Sequence, residues 1–497
     1  MRMKEIARAR VGLYTAGLHT YWNQFEGLRE RIMGYNRFIA ERVGKWAEVC
    51  NFGLVDSSET AHEAGAFFNA HNVDIILVHS GTYFTSAAIL PVHQVCKASV
   101  VLLNLQPTAQ MNYAKTDTGE WLAHCVGCPI PETSNMFERA GVPWHIVNGL
   151  LGLSDTPAGS LTDERTAEMP QAQRAWNEIK QWVQAAGIKR MLGHARFGFL
   201  GNYYSGMLDM YSDFTLLQSV FGLHIELLEM CDLDRCLKLV QKEEVRQKRQ
   251  AIASFFALSG DSSFDVRIKA PSEEQLEWSA TIAAAQYRMV REYNLDALSY
   301  YYHGSDNNDY ERMQSGFIVG HSLLTADGIP CAGEADIKTC VAMKICDALG
   351  LGGSFCEIVA MDYIRNTMLV GHDGPFHISI SDGKPTLRGM GVYHGKRGSG
   401  ISVEANVVSG PITTLGLTQL SNGKLRLIAS EGIAVKLPIL AIGNTQTHVD
   451  FGMDLDDYMY KWFSLAPTHH FAMSVGHNAD LFKKVSELLD IEFIKVA

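Results

Sequence analysis

The sequence predicts an α/β protein in which two tandem doubly wound domains precede a mostly antiparallel β domain. Three observations lead to this fold class. Short β-branched runs alternate with helical patterns in the first part of the chain. Asp-Gly and Asn-Gly pairs separate strand-like runs after residue 372. A chain of 497 residues is also too long for one ordinary core.

The first domain is predicted over residues 1–187. Its strand and helix patterns alternate at the spacing of a Rossmann-like, doubly wound parallel sheet. The predicted strands are 10–16, 52–55, 73–78 and 99–105, and the predicted helices are 24–48, 58–70 and 86–95. Ligands of such sheets bind at the carboxyl ends of the strands. No GxGxxG motif follows the first strand, so no dinucleotide cofactor is predicted.

A second Rossmann-like domain is predicted over residues 188–328, after a long polar helix at 162–186. Its elements repeat the strand and helix alternation of the first domain. The predicted strands are 190–200, 223–228 and 297–302, and the predicted helices are 234–257 and 272–293.

The last domain is predicted over residues 329–497 as an antiparallel, barrel-like β structure that carries the chemistry. Hairpin turns between its strand-like runs favour antiparallel pairing. The predicted strands are 376–380, 385–392, 401–408, 410–420 and 424–430, and two helices follow at 455–463 and 478–489.

Charge and hydropathy exclude several classes of partner. The formal net charge is -11, and no Lys/Arg cluster tracks a phosphate backbone, so no nucleic-acid partner is expected. No apolar stretch approaches the roughly 20 residues of a membrane span, and residues 1–17 lack the features of a signal peptide. We therefore expect a soluble, cytoplasmic protein that binds no membrane.

Acidic and imidazole groups recur in the apolar stretch 333–372. Glu334, Glu357 and His372 each lie at the end of a predicted element, and His470 lies in the last predicted loop. Two carboxylates and two imidazoles make an oxygen and nitrogen site suited to Mn²⁺, Mg²⁺ or Co²⁺. The two glutamates can then move a proton between neighbouring carbons. Spacing alone leaves open that these are core histidines and unrelated glutamates.

Several short segments resemble those of bacterial L-arabinose isomerases. GEADIKT, GGSFCE and a Gly-His pair that ends a short strand are similar, in the same order, to GEGDWKT, GGTSFMED and LGSH of that family. The pair His469-His470 resembles the paired histidines near the C-terminus of those enzymes, and AGLHTYW resembles their first-strand loop GSQHLYG. The chain is thus expected to be a divergent member of the wider L-arabinose/L-fucose isomerase group.

The resemblance implies a metal site and a reaction. It implies that Glu334, Glu357, His372 and His470 bind one Mn²⁺-type ion, and that Glu334 and Glu357 also transfer the proton. His470 is favoured over His469 as the ligand, with His469 facing the substrate or supporting the ligands. It also implies a homo-oligomer whose active site borrows loops from a neighbouring subunit.

Polar and aromatic residues after the first strand are expected to touch the substrate. They are His19, Tyr21, Trp22 and Gln24. Aromatic rings stack on the CH faces of sugars and amides bind hydroxyls, but packing at the helix entry explains Trp22 equally well. Asp336 is expected to cap the following helix or to orient the metal-binding carboxylate.

The predicted function is a metal-dependent aldose–ketose isomerase that acts on an open-chain sugar through a cis-enediol. Ala335, Cys356 and Ile358 depart from the family motifs, so the substrate is expected to be a sugar other than L-arabinose, larger or charged. Two other hypotheses stay open, a non-catalytic two-lobed sugar-binding protein and a metal-dependent epimerase or lyase. A hydride shift in place of proton transfer also stays open.

Overall fold

A computed structural model of the chain describes residues 8–304, 308–390 and 400–497. The first seven residues, and the end of the strand predicted at 385–392, lie outside these ranges. The chain divides into two compact units, with the boundary between Arg190 and Met191. None of the helices within these ranges is both long enough and apolar enough to cross a membrane.

A five-stranded parallel sheet forms the centre of the first unit. Its strands are β1 (Arg10–Ala16), β2 (Glu48–Val55), β3 (Ile75–Ser80), β4 (Ser99–Gln106) and β5 (Trp144–Leu150). They lie in the order β2-β1-β3-β4-β5, and each neighbouring pair runs parallel. All six residues of β3 are buried, as expected for a strand covered on both faces. The predicted parallel sheet is confirmed, and β5 is an additional strand.

The helices of the first unit follow the predicted alternation. They are α1 (Leu28–Val43), α2 (Ser58–Ala70), α3 (Ser86–Val95), α4 (Thr118–Ala123), α5 (Ile130–Ala140) and α6 (Pro170–Leu192), whose last turn contains the boundary between the units. Helix α1 is shorter than predicted because Gly27, at φ 80°, precedes it and Glu48 already belongs to β2. Helix α6 begins later than predicted, at Pro170, since proline suits the first turn of a helix.

The second unit contains the remaining elements. Its strands are β6 (Arg196–Gly201), β7 (His224–Leu228), β8 (Ala257–Leu258), β9 (Ile268–Lys269), β10 (Ala297–Tyr301), β11 (Cys331–Ala332), β12 (Gly352–Asp362), β13 (Thr367–His372), β14 (Thr386–Met390), β15 (Ile401–Glu404), β16 (Gly410–Gln419), β17 (Leu425–Val435), β18 (Thr445–Asp450), β19 (His470–Val475) and β20 (Glu492–Lys495). Its helices are α7 (Phe214–Phe221), α8 (Met230–Lys238), α9 (Lys242–Phe255), α10 (Glu273–Glu292), α11 (Asp309–Ser315), α12 (Phe317–Ala326), α13 (Ile337–Ala348), α14 (Leu455–Ser464) and α15 (Ala479–Leu489).

A second parallel sheet runs in the order β11-β10-β6-β7. The single helix predicted at 234–257 is two helices, because Gln241 forms a capping box with Glu244 and starts α9. A small sheet in the order β15-β14-β8, with β9 also paired to β14, lies in the same unit. The strand predicted at 376–380 is wrong. The backbone N–H groups of Phe376 and His377 donate to the Ser322 and Ser354 hydroxyls in place of a strand partner.

Six antiparallel strands close into a barrel near the C-terminus. The order β16-β19-β12-β13-β18-β17 returns to β16 through a ladder of ten residue pairs between β16 and β17. β20 pairs in parallel with residues 426–429 of β17, which lie outside the pairing of β17 with β18. The barrel-like prediction is therefore confirmed for this region, and closure leaves these six strands without a free edge. Large buried residues of the barrel and its flanking helices share one apolar core, including Phe451, Tyr458, Trp462 and Phe471.

Candidate metal centre

Glu334 follows β11 in a short 3-10 turn, Gly333–Ala335, that leads into α13. Glu334 and Ala335 have φ angles of 56° and 60°, in the left-handed region that residues other than glycine rarely adopt. This conformation costs roughly 1–2 kcal/mol for each L-residue, so the surrounding structure must hold the turn. The backbone N–H of Tyr204 donates to the Glu334 carbonyl at 3.3 Å, and Ala335 is fully buried. Glu334 is therefore presented from a constrained backbone.

Asp336 connects the start of α13 to His470. Its carboxylate accepts hydrogen bonds from the Thr339 backbone N–H at 3.0 Å and from the Thr339 hydroxyl at 2.8 Å, which confirms the predicted helix cap. The same carboxylate lies 3.1 Å from Nδ1 of His470, and both side chains are fully buried. Because a carboxylate only accepts hydrogen bonds, Nδ1 carries the proton and Nε2 carries the lone pair. That Nε2 atom lies 3.5 Å from Oε2 of Glu334.

His470 is the first residue of β19, so its prediction as a loop residue is wrong. β19 pairs with β12 on one side and β16 on the other, and these distant partners keep the chain extended. Glu357 of β12 is the residue opposite His470. His469 precedes the strand, with Nδ1 2.6 Å from Oδ2 of Asp209 and Nε2 3.9 Å from Oε2 of Glu334.

Glu334, His469 and His470 form a group that we call the Glu334 cluster. One possible ligand atom from each lies within 4.8 Å of the others. Oε2 of Glu334 and Nε2 of His470 are buried and make no hydrogen bond to any residue that the structure describes. Buried polar atoms are rarely left unsatisfied, and those that are need an explanation such as a bound ion. An oxygen and nitrogen donor set without a thiolate suits Mn²⁺, Mg²⁺ or Co²⁺.

The other two predicted ligands adjoin this cluster in the barrel. Glu357 lies in β12 between His470 of β19 and Gly371 of β13. His372 ends β13, and its ring centroid lies 5.0 Å from that of His470. Its Nδ1 atom is 3.2 Å from Oδ1 of Asp373 but outside hydrogen-bonding geometry, and it is buried without another partner among the described residues. Strand pairing thus places Glu357, His372 and His470 on three neighbouring strands, and Glu334 lies in the turn before α13.

Burial dominates the pKa shifts of Glu334 and His470, whereas for His469 the effect of burial is outweighed by the contact with Asp209, which raises the pKa. Burial raises the pKa of Glu334, and the neighbouring His372 and His469 partly offset this effect. Burial lowers the pKa of His470 to about 3, so its imidazole is neutral near pH 7, which is the form that binds metals. Burial would also raise the pKa of Asp336, but the hydrogen bond from His470 and the charge of Lys338 hold this pKa below its ordinary value. A cation beside Glu334 would favour its ionised form.

The four predicted substrate-binding residues after β1 belong to the first unit, whereas His469 belongs to the second. His19 and Tyr21 lie in a 3-10 turn after β1, and the Gln24 amide donates to the Thr20 carbonyl at 3.0 Å. The Trp22 indole N–H donates to Asp56 at 2.7 Å, and its ring packs with Tyr21 on a small apolar cluster at the start of α1. The packing role of Trp22 is therefore present in the structure, and sugar binding by these four residues stays a prediction.

Asp209 is a site residue that the sequence did not reveal. It lies 260 positions before His469, within a 3-10 turn, Leu208–Met210, and no motif marks it. An acidic residue alone is common in turns for reasons of backbone hydrogen bonding. Only the folded chain brings it to the histidine.

The fold and the site together define a mixed α/β protein with a closed antiparallel barrel and a candidate metal centre. No protein-family model matches the chain. The chain is similar to an L-arabinose isomerase of Nocardioides sp. (strain ATCC BAA-499 / JS614), with 22% identity over 328 residues. The matched region spans 64% of this chain and 63% of that relative, which is less than two thirds of its length. This distant similarity agrees with the resemblance of the short motifs.

Proposed function

We propose that the protein is a metal-dependent aldose–ketose isomerase, and thus an intramolecular oxidoreductase. The observation that carries this proposal is the Glu334 cluster, in which a buried carboxylate oxygen and a buried imidazole nitrogen face each other without hydrogen bonds to any described residue. The distant similarity to an L-arabinose isomerase supports the class of reaction. The sugar is proposed to differ from L-arabinose, because Ala335, Cys356 and Ile358 depart from the family motifs beside the site.

Glu334, Glu357, His372 and His470 are proposed to hold one Mn²⁺-type ion, with Mg²⁺ or Co²⁺ as substitutes. Such an ion acts as a Lewis acid towards the carbonyl and hydroxyl oxygens of an open-chain sugar. Glu334 and Glu357 are proposed to move a proton between C1 and C2 through a cis-enediol. Burial raises the pKa of Glu334 in the absence of a metal ion, and a bound cation would lower this pKa again.

The wider architecture of the proposal follows the resemblance. Residues 1–187 and 188–328 are proposed as Rossmann-like domains, and residues 329–497 as the domain with the metal site. His19, Tyr21, Trp22 and Gln24 are proposed to bind the sugar, and the protein is proposed to form a homo-oligomer whose active site is shared between subunits. The protein is proposed to work in the cytoplasm, without nucleic-acid or membrane partners.

A panel of aldoses incubated with the protein and Mn²⁺ tests the function. We expect one aldose to yield its 2-ketose, and Glu357→Gln to abolish this product because the amide cannot accept the proton. Glu492→Gln is the matched control, since Glu492 is a partly exposed residue of β20 paired with Arg426. It should retain full activity.

The same panel separates the competing functions. Epimers or cleaved products would favour the epimerase or lyase hypothesis, and sugar binding without any product would favour a binding protein. Deuterium from D₂O should enter the transferred carbon if a proton moves, whereas its complete absence would favour a hydride shift. A purified protein without divalent metal, whose behaviour Glu357→Gln leaves unchanged, would contradict the isomerase proposal.

A further inference from the structure

We propose that Asp209 is a positioning residue that makes His469 a third imidazole ligand of the metal centre. The inference rests on the proposed function, because it assumes a metal at the Glu334 cluster. Asp209 lies outside the ligand set implied by the family resemblance, which favours His470 alone of the histidine pair. The contacts of Asp209 give His469 a defined orientation.

One carboxylate oxygen of Asp209 fixes both the backbone and the ring of His469. Oδ2 accepts the His469 backbone N–H at 3.0 Å and lies 2.6 Å from the ring Nδ1. The proton of a neutral His469 is therefore on Nδ1, and the lone pair of Nε2 faces Oε2 of Glu334 at 3.9 Å. A histidine that ligates a metal typically has its other ring nitrogen bound to a carboxylate in this way.

The neighbouring histidine shows the same arrangement. Nδ1 of His470 is held by Asp336 at 3.1 Å, and its Nε2 atom also faces Oε2 of Glu334, at 3.5 Å. Each of the two adjacent imidazoles thus has its own carboxylate at Nδ1, and both Nε2 atoms face the carboxylate of Glu334.

Lys338 holds the Asp209 turn against the start of α13. Its buried ammonium donates to the carbonyl oxygens of Asp209 at 2.9 Å and Met210 at 3.0 Å, and to the Ser212 hydroxyl at 2.9 Å. These three bonds use all three donors of a lysine. Lys338 is two residues after Asp336, so the first turn of α13 supports the carboxylates behind both histidines.

Titration of the metal-free full-length protein with Co²⁺ tests the inference through the visible absorption of the bound ion. We expect Asp209→Ala to weaken Co²⁺ binding about 10- to 100-fold, which is the usual effect of removing the partner of a metal-binding histidine. Asp209→Asn should keep most of the affinity, since its amide oxygen still accepts from Nδ1. The matched control is Asp213→Asn, because Asp213 caps α7 through the Leu216 N–H and asparagine caps equally well.

A double-mutant cycle separates positioning from a general structural effect. His469→Ala and the double variant Asp209→Ala/His469→Ala should bind Co²⁺ equally, because Asp209 acts through His469. Unchanged affinity in Asp209→Ala, or an equally large loss in the His469→Ala background, would overturn the positioning role alone. Wild-type protein that takes up no Co²⁺ would overturn the metal-dependent function itself, and the positioning role with it.

Discussion

Two buried clusters of charged side chains, one in each compact unit, satisfy their polar atoms to different extents. In the first unit, Arg31 binds the carboxylates of both Glu120 and Glu164, and the Tyr35 hydroxyl donates to Glu164 at 2.7 Å. The Leu161 backbone N–H adds a further bond to Glu120 at 3.2 Å. The Glu120 and Glu164 side chains are only 2% and 0% exposed, so these contacts are what makes their burial tolerable.

The Glu334 cluster, in contrast, leaves buried polar atoms without a hydrogen bond to any described residue. Oε2 of Glu334 and Nε2 of His470 face each other, and neither atom has a hydrogen bond within the described ranges. The two histidines are anchored from behind by Asp209 and Asp336, so the unsatisfied atoms are all on one side. A buried ionic cluster whose polar atoms all bond to one another has a structural role. A cluster that leaves ligand atoms on one side without a hydrogen bond can instead bind a ligand there.

The largest effect on stability is expected for a substitution in the cluster of Arg31, Glu120 and Glu164. Arg31→Met should destabilise the first unit by about 3–5 kcal/mol, because it leaves two buried carboxylates without their cation. Hydrogen exchange of peptides from the first unit measures this loss, with the second unit as an internal reference. Arg165→Met is the matched control. Its partner is Asp163, both side chains are more than half exposed, and such an exposed pair contributes little to stability. Equal effects of the two substitutions would contradict the comparison.

The second-largest effect is expected for metal binding at the Glu334 cluster. Mn²⁺ at 100 times its dissociation constant should stabilise the wild-type protein by about 2.7 kcal/mol. Glu334→Gln should abolish this response but leave the metal-free protein at least as stable, because it removes a charge that burial disfavours. Hydrogen exchange of barrel peptides with and without Mn²⁺ measures both quantities.

Glu492→Gln is again the control and should respond to Mn²⁺ like the wild type. A clear loss of stability in metal-free Glu334→Gln would show that this carboxylate is satisfied internally. The two clusters would then be of the same kind, and the contrast between them would disappear.

The smallest expected effect concerns the turn that presents Glu334. Ala335→Gly removes the cost of a left-handed φ at Ala335 but adds chain entropy to the unfolded state and loses a buried methyl group. The net change should stay within about 1 kcal/mol. Ala342→Gly, a buried position inside α13, is the control and should destabilise by about 1–2 kcal/mol, because it has no strained φ to relieve. Similar losses in urea unfolding would argue against strain at Ala335.

Elements with local signals were predicted well from the sequence. Helices α2 and α3 lie at the predicted bounds, and Ser57 and Thr60 form a capping box within four residues of each other at the start of α2. The helix cap at Asp336 is likewise visible in sequence because the bond to Thr339 spans three positions. Such contacts need no knowledge of the rest of the fold.

Features that depend on distant partners were not predictable from local patterns. β19 owes its extended form to β12 and β16, so His470 looked like a loop residue. The strand predicted at 376–380 has strand-like composition, but its backbone N–H groups are taken by two distant serines. The four candidate ligands stood out as ionisable groups at the ends of predicted elements or in the last predicted loop, and the motif resemblance then implied their role. No periodicity pointed to the pairing of Asp209 with His469.

The register of β12 also limits how this protein can change during evolution. Irregularities in pairing occur at Gly352/Ser354, against β19, and at Ile358/Ala360, against β13, so they flank Glu357 on both sides. A one-residue insertion between them would turn Glu357 to the opposite face of the barrel. Insertions at the hairpin tip between β12 and β13, where Ile364 is 95% exposed, would leave that register intact. Homologous chains are therefore expected to vary in length at the hairpin tip between β12 and β13, and to keep four residues between Gly352 and Glu357.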